Sequence, residues 1–482
     1  MSQNGQPSFR KSLNLVDSSA LIIGSMIGSG IFIVSADMSR TLGSPGWLLV
    51  AWLITGFMTI MGALNFGELA AMMPKAGGTY VYLREAYNPL TGFLYGWTLF
   101  MVIQTGTIAA VAMAFGKFFG VIVPWINEGN ILLNLGPVKF SSVHVIAIGS
   151  LALLTWINSR GIRTGKHVQN TFTFTKVIIL LLLLLAGFIF AGSDGFRANS
   201  EYFWQAASLD RATGLVTPVT GGMIVVALAM AMVGSLFTCD AWTNVTFASA
   251  EVVDPRRTLP RSLFWGTLIA FTLFFLTNIV YIKVLPLRGM PDGAGVLERG
   301  IAFATNDRLG TATISSIFGD YAAIVMAVLI VISTFGCNNG LILSGARVYY
   351  AMAEDRLFFR NAGKLNTRAV PGNGLWIQFA WSSLLCLSGS YSQLLDYVVF
   401  AVLLFYVLTI LAIFVLRYRR PGAERPYRAF GYPVIPALYI LMAATIMIIL
   451  LIYKPAFTWP GLIIVLIGIP VYFIWKRFNK TV

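Results

Sequence analysis

Long apolar runs separated by short polar segments dominate the hydrophobic pattern of this chain. Windows of about 20 apolar residues, the length that crosses the hydrocarbon core of a bilayer, recur along nearly its whole length. The pattern therefore predicts an all-α membrane protein with about twelve transmembrane helices. The predicted spans cover residues 15–39, 46–72, 90–123, 143–158, 167–192, 218–250, 262–285, 316–352, 373–390, 393–417, 432–453 and 458–475.

A glycine-serine-glycine sequence interrupts the first of these runs at residues 28–30. Glycines disfavour helix in a segment that is otherwise able to cross a membrane. Inside a bilayer, backbone groups freed from a helix are tolerated only where they are buried in protein or line a watery cavity. A helix broken there offers N–H groups and a positive dipole end to an anion such as a carboxylate. Gly24 and Gly28 also form a small-xxx-small pair, which indicates close helix packing.

A second interruption is predicted in the sixth run, where Asp240 follows the polar residues 238–239. An aspartate near the bilayer midplane should face a cavity or a partner, because its charge is costly there. A capped kink is the alternative interpretation. The two breaks are five spans apart, as in an inverted five-plus-five repeat, whose interruptions mark a transport site. We predict a cytoplasmic tail at 1–14, five-helix repeats at 15–192 and 218–417, and helices 11 and 12 with a cytoplasmic C-terminal tail at 432–482.

Composition strengthens the membrane assignment and narrows the classes of function. Hydrophobic residues make up 57% and charged residues 11% of the chain, and the mean hydropathy is +0.77, values outside the range of soluble domains. The three cysteines all fall in apolar runs, and only two histidines are present. These residues form no disulfide framework or metal-ligand spacing. We therefore expect neither a cofactor nor an enzyme.

Basic residues are distributed unevenly between the two sides of the predicted spans. With the N-terminus inside, about 22 of the 34 lysines and arginines fall in cytoplasmic segments, which predicts cytoplasmic termini. The net charge of +15 is thus a signal of topology and of lipid headgroups, and we expect no nucleic-acid partner. Acidic residues near the inner ends of spans two and six, such as Glu68 and Glu251, are expected either in inner-gate ion pairs or as solvated loop charge.

Four separated stretches of the sequence resemble the amino acid, polyamine and organocation transporters, and among them the L-type amino acid transporter group and its bacterial relatives. The stretches are IIGSMIGSGIF at 22–32, NFGELAAMMPKAGGTYVY at 65–82, FTCDAWTNVTFASAEVVDPRRTLP at 237–260 and NGLILSGARVYYAMAEDRL at 339–357. The GSGIF and E-x-x-x-P-x-x-x-L-P signatures are specific when they occur together. Residues 239–241 depart from the Tyr-Gly-Gly of many animal members and resemble the acidic variant of bacterial relatives.

The resemblance implies the leucine-transporter-type fold with broken helices 1 and 6, alternating access, and an amino acid bound between spans one and six. N–H groups at the first break would hold the substrate carboxylate, and carbonyls at both breaks would receive its α-ammonium. Phe237 resembles the aromatic gate of the family, with an ordinary packed phenylalanine as the alternative. The implied substrate-binding residues are Ile27, Gly28, Ser29, Gly30, Ile31, Phe237, Thr238, Cys239 and Asp240.

Lys176, in the fifth span, is a candidate for a fixed charge that replaces a coupling cation. Related transporters carry a lysine in span five and run independently of sodium, so the resemblance implies that its ammonium bonds carbonyls of span one and hydroxyls of span eight. Ser333, Thr334 and Ser344 are the candidate hydroxyls. Alternatively, the side chain snorkels to the inner interface. A desolvated lysine also leaves proton coupling open.

The combined expectation is a sodium-independent transporter or exchanger of amino acids, neutral and L-type, in a cell membrane, most simply a bacterial inner membrane. Asp240 motivates the alternative of a proton-coupled permease for cationic amino acids or polyamines. A non-transporting sensor or channel is the alternative from another class, and no output domain is predicted for it. Animal relatives pair with a glycoprotein through a cysteine after span three. Because residues 124–143 contain no cysteine, we expect no disulfide-linked glycoprotein subunit.

Overall fold

The computed structural model describes residues 9, 11–135, 138–387 and 391–478 and arranges them almost entirely as helices. Within these ranges, ten helical segments are long and apolar enough to cross a membrane. Two further apolar helices in these ranges are shorter, Met223–Thr238 and Leu309–Phe318. The first of them ends at the predicted second interruption. The predicted class, an all-α membrane protein, agrees with this architecture.

The helices are labelled in chain order. They are α1 Leu15–Met26, α2 Val34–Leu42, α3 Pro45–Met72, α4 Thr79–Ala86, α5 Pro89–Thr98, α6 Gln104–Ile122, α7 Ser142–Ser159, α8 Ile162–Leu185, α9 Asp194–Ser200, α10 Met223–Thr238, α11 Asn244–Phe247, α12 Pro255–Val284, α13 Val296–Arg299, α14 Leu309–Phe318, α15 Asp320–Glu354, α16 Gly372–Cys386, α17 Tyr391–Arg419, α18 Val434–Tyr453 and α19 Pro455–Phe478. Short 3₁₀ turns cover Gly30–Phe32, Ser249–Glu251, Thr305–Asp307 and Arg360–Gly363, and π-helical turns cover Leu99–Ile103 and Ala186–Phe190.

Local sequence signals fix several helix starts. Asn14 caps α1, because its side chain accepts from the Asp17 N–H at 2.8 Å and the Asp17 carboxylate accepts from the Asn14 N–H at 3.0 Å. Ser44 precedes Pro45 at the start of α3, and Asn88 precedes Pro89 at the start of α5, each with its side chain accepting from the first turn. These caps place the starts of spans one to three within one residue of the positions that the apolar pattern predicts.

Two short antiparallel hairpins lie in the connections and were not predicted. Strand β1 (Ile131–Leu135) pairs with β2 (Val138–Ser141), and β3 (Ala207–Leu209) pairs with β4 (Val216–Pro218). Strands of three to five residues are too short to produce a clear alternation of apolar and polar positions. They do not change the helical class of the fold.

The observed helices differ from the predicted spans at three further points. The seventh span begins at Pro255, seven residues before its predicted start, because arginines in its first two turns lower the hydropathy there. Helix α14 was not predicted as a separate helix; its last three residues fall in the predicted eighth span, 316–352, which is observed as α15 from Asp320. The ninth span, predicted to end at residue 390, ends as α16 at Cys386, and residues 388–390 lie outside the described ranges.

Helix α1 lies at the centre of the molecule, packed against α8, α12 and α15. Small residues permit the close approach. Gly266 of α12 lies against Ile22, and a β-carbon built there would be 2.9 Å from the Ile22 side chain. Helices α1, α5 and α6 are mostly buried, whereas α18 and α19 are mostly exposed at the periphery. The first predicted break is therefore surrounded by protein on all sides.

Main-chain hydrogen bonds connect the segment before α1 to the segment after α11. The Ser12 and Leu13 N–H groups donate to the Glu251 carbonyl at 2.8 and 3.0 Å, and the Val253 N–H donates to the Leu13 carbonyl at 2.8 Å. Leu13 and Val252 thus form a parallel bridge. The segment that leads into α1 and the segment that follows α11 are therefore joined to each other.

Candidate functional site

The first interruption separates α1 from α2. Helix α1 ends at Met26, and Ile27 has an extended conformation with φ −74° and ψ 91°. After two bends, a single 3₁₀ turn spans Gly30–Phe32 before α2 begins. In the described part of the chain, the N–H groups of Gly28 and Gly30 donate to no acceptor. Unpartnered N–H groups in a buried, interrupted helix form the kind of site that binds an anion.

The second interruption separates α10 from α11. Helix α10 ends at Thr238, and Cys239 and Asp240 form a turn in which the Asp240 N–H donates to the Phe237 carbonyl at 3.2 Å. Ala241 has a left-handed backbone with φ 67°, a conformation that non-glycine residues adopt rarely. The chain therefore leaves the helical path at the residues that the sequence pattern singled out.

The two interruptions touch each other. A β-carbon built on Gly30 would lie 3.0 Å from the Thr238 Cβ and would overlap its hydroxyl. The Thr238 hydroxyl donates to the Gly234 carbonyl at 2.9 Å, which fixes its orientation. On the other side of the break, the Tyr281 hydroxyl donates to the Ile31 carbonyl at 3.2 Å. Residues 27–31 and residues 237–238 are all buried.

Lys176 of α8 reaches the end of α1. Its side chain is fully buried, and its Nζ donates to the Gly24 carbonyl at 2.5 Å. Gly336 of α15 makes room for the lysine, because a β-carbon there would lie 3.0 Å from the Lys176 Cε. The ammonium is thus held at the C-terminal, negative end of a helix. The snorkelling alternative is wrong for this structure, since the charge points into the protein.

Helix α15 supplies two further contacts to the same end of α1. The Ser333 hydroxyl lies 3.5 Å from the Ile27 carbonyl, and the Cys337 thiol donates to the Ser25 carbonyl at 3.0 Å. Thr334 and Ser344, the other candidate hydroxyls, donate to carbonyls of their own helix. Three carbonyls freed at the end of α1 therefore meet an ammonium, a thiol and a hydroxyl.

Asp240 faces α17. Its carboxylate accepts a hydrogen bond from the Tyr406 hydroxyl at 2.5 Å. The Tyr406 ring is part of an aromatic cluster with Trp242 and Phe66, whose ring centroids lie 5.1 and 5.5 Å away from it. A carboxylate held in this way is positioned to receive a cationic group.

Two small cavities flank Asp240. Each has a volume of about 20 Å³, enough for roughly one water molecule. One is lined partly by Thr59 and Tyr439, and the other partly by Gln104 and Asn244. An amino acid does not fit into either, so the helices must separate to admit one.

Both acidic residues named near the inner ends of spans two and six, Glu68 and Glu251, are buried and ion-paired. Glu251 and Arg347 of α15 form a pair that is almost fully buried, with N···O distances from 3.1 Å. Glu68 of α3 accepts from Arg417 of α17 at 2.6 Å and from the Ala429 N–H at 2.6 Å. Of the two expectations for these acids, ion pairing is the one observed, and Glu68 lies within α3 rather than in a loop.

Sequence reasoning missed the contact residues Cys337 and Tyr281. Cys337 follows Ser333 by four residues and so shares its helix face. That spacing was the available signal. Tyr281 carries no comparable signal, because its contact depends on how α12 crosses α1. Within the described ranges, no three His, Cys, Asp or Glu side chains are grouped to hold a metal ion.

The fold defines a multi-pass helical membrane protein in which the chain breaks between α1 and α2 lie buried against those between α10 and α11. The sequence profile of the amino acid permease family matches residues 13–473. The chain belongs to this family, and the resemblance drawn from its motifs is confirmed at that level.

Named relatives match nearly the whole chain. The Asc-type amino acid transporter 1 of Mus musculus is 28% identical, across 98% of this chain and 83% of that protein. The large neutral amino acids transporter small subunit 2 of Homo sapiens is 27% identical, across 99% of this chain and 83% of that protein. The b(0,+)-type amino acid transporter 1 of Homo sapiens is 26% identical, across 98% of this chain and 89% of that protein.

Proposed function

We propose that this chain is a sodium-independent secondary transporter that exchanges neutral amino acids by alternating access. The observation that carries the proposal is the buried Lys176 ammonium bonded to the Gly24 carbonyl at the interrupted end of α1. A fixed cation at this position neutralises the helix end without a bound metal ion. The names of the relatives, one of which is a transporter of large neutral amino acids, support the substrate class.

The substrate carboxylate is proposed to bind the N–H groups at the first interruption, where those of Gly28 and Gly30 have no acceptor in the described part of the chain. The α-ammonium is proposed to lie against carbonyls at the ends of α1 and α10, where both helix dipoles are negative. Phe237, at the end of α10, is proposed as the gate. The full proposed set is Ile27, Gly28, Ser29, Gly30, Ile31, Phe237, Thr238, Cys239 and Asp240.

Alternating access requires the site to open to one side at a time. The small cavities beside Asp240 support a closed arrangement here, and the Glu251–Arg347 and Glu68–Arg417 pairs are proposed to hold one side shut. We propose that residues 15–192 and 218–417 form an inverted five-plus-five repeat of the leucine-transporter type, with α18 and α19 outside it. Both termini are proposed to be cytoplasmic in a bacterial inner membrane.

The chain is proposed to work without a disulfide-linked glycoprotein subunit. In relatives of the animal group, the resemblance places the linking cysteine after span three. The corresponding residues 124–143 contain no cysteine, and the three cysteines of the chain are buried within helical spans or their interruption. No thiol is therefore available for such a link at the surface of the described chain.

A second candidate function rests on Asp240. Its carboxylate, held by Tyr406, would suit a substrate with a second positive charge, as in a proton-coupled permease for cationic amino acids or polyamines. The same carboxylate would equally serve the α-ammonium common to all amino acids, so we place this function second.

Counterflow in liposomes tests the proposal. The purified protein is reconstituted into vesicles loaded with one unlabelled substrate, and uptake of labelled alanine, serine, leucine, arginine and putrescine is compared with and without sodium and a proton gradient. The proposal requires neutral amino acid counterflow that is equal at zero and high sodium. Uptake of arginine or putrescine driven by the proton gradient would favour the second candidate. Saturable binding without flux would make the chain a sensor and overturn both.

A further inference from the structure

A basic cavity lies outside the proposed substrate site, between the start of α12 and the segment of residues 420–433. Its volume is about 660 Å³. Arg257 and Arg261 line it from α12, one helical turn apart and both exposed. Neither guanidinium has a hydrogen-bonded or ion-paired partner within the described ranges. The neighbouring Arg256 is paired with Glu424 at 2.9 Å, so the charges of that exposed pair offset each other.

The cavity lies at the depth of lipid headgroups. Helix α12 has 30 residues and is therefore about 45 Å long, longer than the hydrocarbon core of about 30 Å. If the excess is shared between its ends, the first five residues or so project into the headgroup region. Arg257 lies within that region, and Arg261, whose long side chain reaches toward the surface, lies at its border.

Aromatic side chains form the wall on the membrane side. Trp265, one turn beyond Arg261, is 53% exposed, and Phe430 of the opposite segment is 66% exposed. Exposed tryptophan at the boundary between headgroups and hydrocarbon is typical of membrane anchoring. The cavity thus has unpaired cations at its outer end and apolar rings at its inner end, as an amphipathic ligand requires.

The start of α12 carries an unfavourable charge distribution. Arg256 and Arg257 occupy its first turn, where the helix dipole is positive and anions are favoured. Asp254 precedes the helix, but its side chain caps no N–H group. A phosphate beside Arg257 and Arg261 would offset the positive end of the helix dipole and the positive charges of the two arginines. Arginine is also well suited to bind phosphate oxygens, because its guanidinium can donate two parallel hydrogen bonds.

We propose that this cavity binds the headgroup of an anionic phospholipid, with an acyl chain along Trp265 and Phe430. The site is connected to the ion pairs at the inner side. The Tyr427 ring lines the cavity and packs against Gly67 of α3, where a β-carbon would lie 2.9 Å from the ring. The adjacent Glu68 holds Arg417 and the Ala429 N–H. A bound lipid therefore stabilises the packing of residues 420–433 against α3.

Native mass spectrometry of the full-length protein in detergent tests the proposal without any substrate, so its outcome is separate from that of the transport assay. The protein is titrated with phosphatidylglycerol, phosphatidylcholine or inorganic phosphate. We expect phosphatidylglycerol to be retained much more strongly than phosphatidylcholine. The double variant Arg257→Gln, Arg261→Gln should weaken retention roughly 30-fold, from the usual contribution of two basic residues at an anionic surface.

The matched control removes two exposed basic residues with the same four-residue spacing elsewhere, Arg360→Gln and Lys364→Gln, and should change retention less than about twofold. Equal losses in both double variants would mean nonspecific surface charge and would overturn the proposal. Equal retention of phosphatidylcholine would reduce the site to an apolar groove and would also overturn it. Inorganic phosphate that competes fully with phosphatidylglycerol at millimolar concentration would identify a soluble anion as the ligand instead.

Discussion

Gly30 has no room for a side chain, because the Thr238 side chain fills the space beside its α-carbon. The same glycine presents an N–H group with no acceptor in the described part of the chain. Space and hydrogen bonding at this one residue both agree with contact between the backbone and a ligand.

The first prediction follows from that space. Gly30→Ala should lower the exchange rate by tenfold or more, about 1.4 kcal/mol or more in activation free energy, because the methyl group forces Thr238 away from the break. Gly149→Ala is the control, since nothing lies within 4 Å of a β-carbon there. Initial rates in liposomes provide the measurement. Wild-type rates for a monodisperse Gly30→Ala protein would show that the break does not hold the substrate.

Lys176 leads to a second prediction. Lys176→Ala leaves the Gly24 carbonyl without its donor, a cost of about 1–3 kcal/mol for a buried polar group, and should abolish exchange while the protein remains folded. The control is Lys139→Ala, which removes an exposed lysine from β2. Exchange is measured at zero and at high sodium. An active Lys176→Ala protein at zero sodium, or a sodium-dependent wild type, would exclude a fixed cation in place of a metal ion.

Tyr406 leads to a third prediction. Tyr406→Phe keeps the ring packed on Trp242 and Phe66 but removes the hydrogen bond to Asp240. We expect KM for a neutral amino acid to rise about 3- to 10-fold, as the loss of roughly 1 kcal/mol predicts, with an unchanged unfolding temperature. Tyr418→Phe, at a residue that is 89% exposed, is the control. An unchanged KM would mean that Asp240 is not part of the substrate site.

At the scale of elements, the buried pair between Glu251 and Arg347 joins α15 to the segment after α11. Removing one partner leaves an uncompensated buried charge, at a cost of about 3–5 kcal/mol. Arg347→Met and Glu251→Leu should therefore each lower the unfolding temperature sharply, and the double variant should recover most of the loss.

The exposed pair of Arg256 and Glu424 is the control for this fourth prediction, because its variants should change stability by about 1 kcal/mol or less. Thermal unfolding in detergent, followed by tryptophan fluorescence, provides the measurement. Additive losses in the double variant would contradict a coupled pair.

The apolar pattern predicted most helices of this fold because crossing a bilayer leaves a long, simple signal. It did not predict β1 to β4 or α14, which are short and depend on contacts distant in sequence. The start of α12 was misplaced because its arginines lie where hydropathy falls but helix continues. Which segments form membrane-spanning helices thus follows from local sequence. Where a helix begins or ends at the membrane surface depends also on charged residues and on contacts with other segments.

The candidate site was partly predictable for a related reason. Glycines and an aspartate within apolar runs mark interruptions, and Lys176 was conspicuous as a charge in such a run. The partners of these residues were not predictable to the same degree. Thr334 and Ser344 bond to their own helix, while Cys337 bonds to Ser25, a difference set by the rotation of α15 against α1.

At the scale of the whole molecule, the charge distribution predicts which loops face which side of the membrane, and this is the fifth prediction. In a background without the three native cysteines, Lys364→Cys should react with a membrane-impermeant maleimide only in inside-out vesicles. Ala294→Cys, in the connection after α12, should react only in right-side-out vesicles. Both positions are exposed, so labelling depends on sidedness alone. Labelling of both from the same side would reverse part of the topology.

The main-chain bridge between Leu13 and Val252 has a mechanical consequence. Three main-chain hydrogen bonds join residues 12–13, before α1, to residues 251–253, after α11. These two segments therefore cannot slide past each other without breaking the bonds. On that face the segments before α1 and after α11 must move together. On the opposite face, no main-chain hydrogen bond in the described part of the chain joins α2 to α10. Helices α2 and α10 pack against each other through side chains, and a β-carbon built on Gly234 would lie 3.0 Å from the Val34 Cβ. Opening toward one face must therefore move two main-chain-linked segments together, whereas opening toward the other must separate side-chain packing.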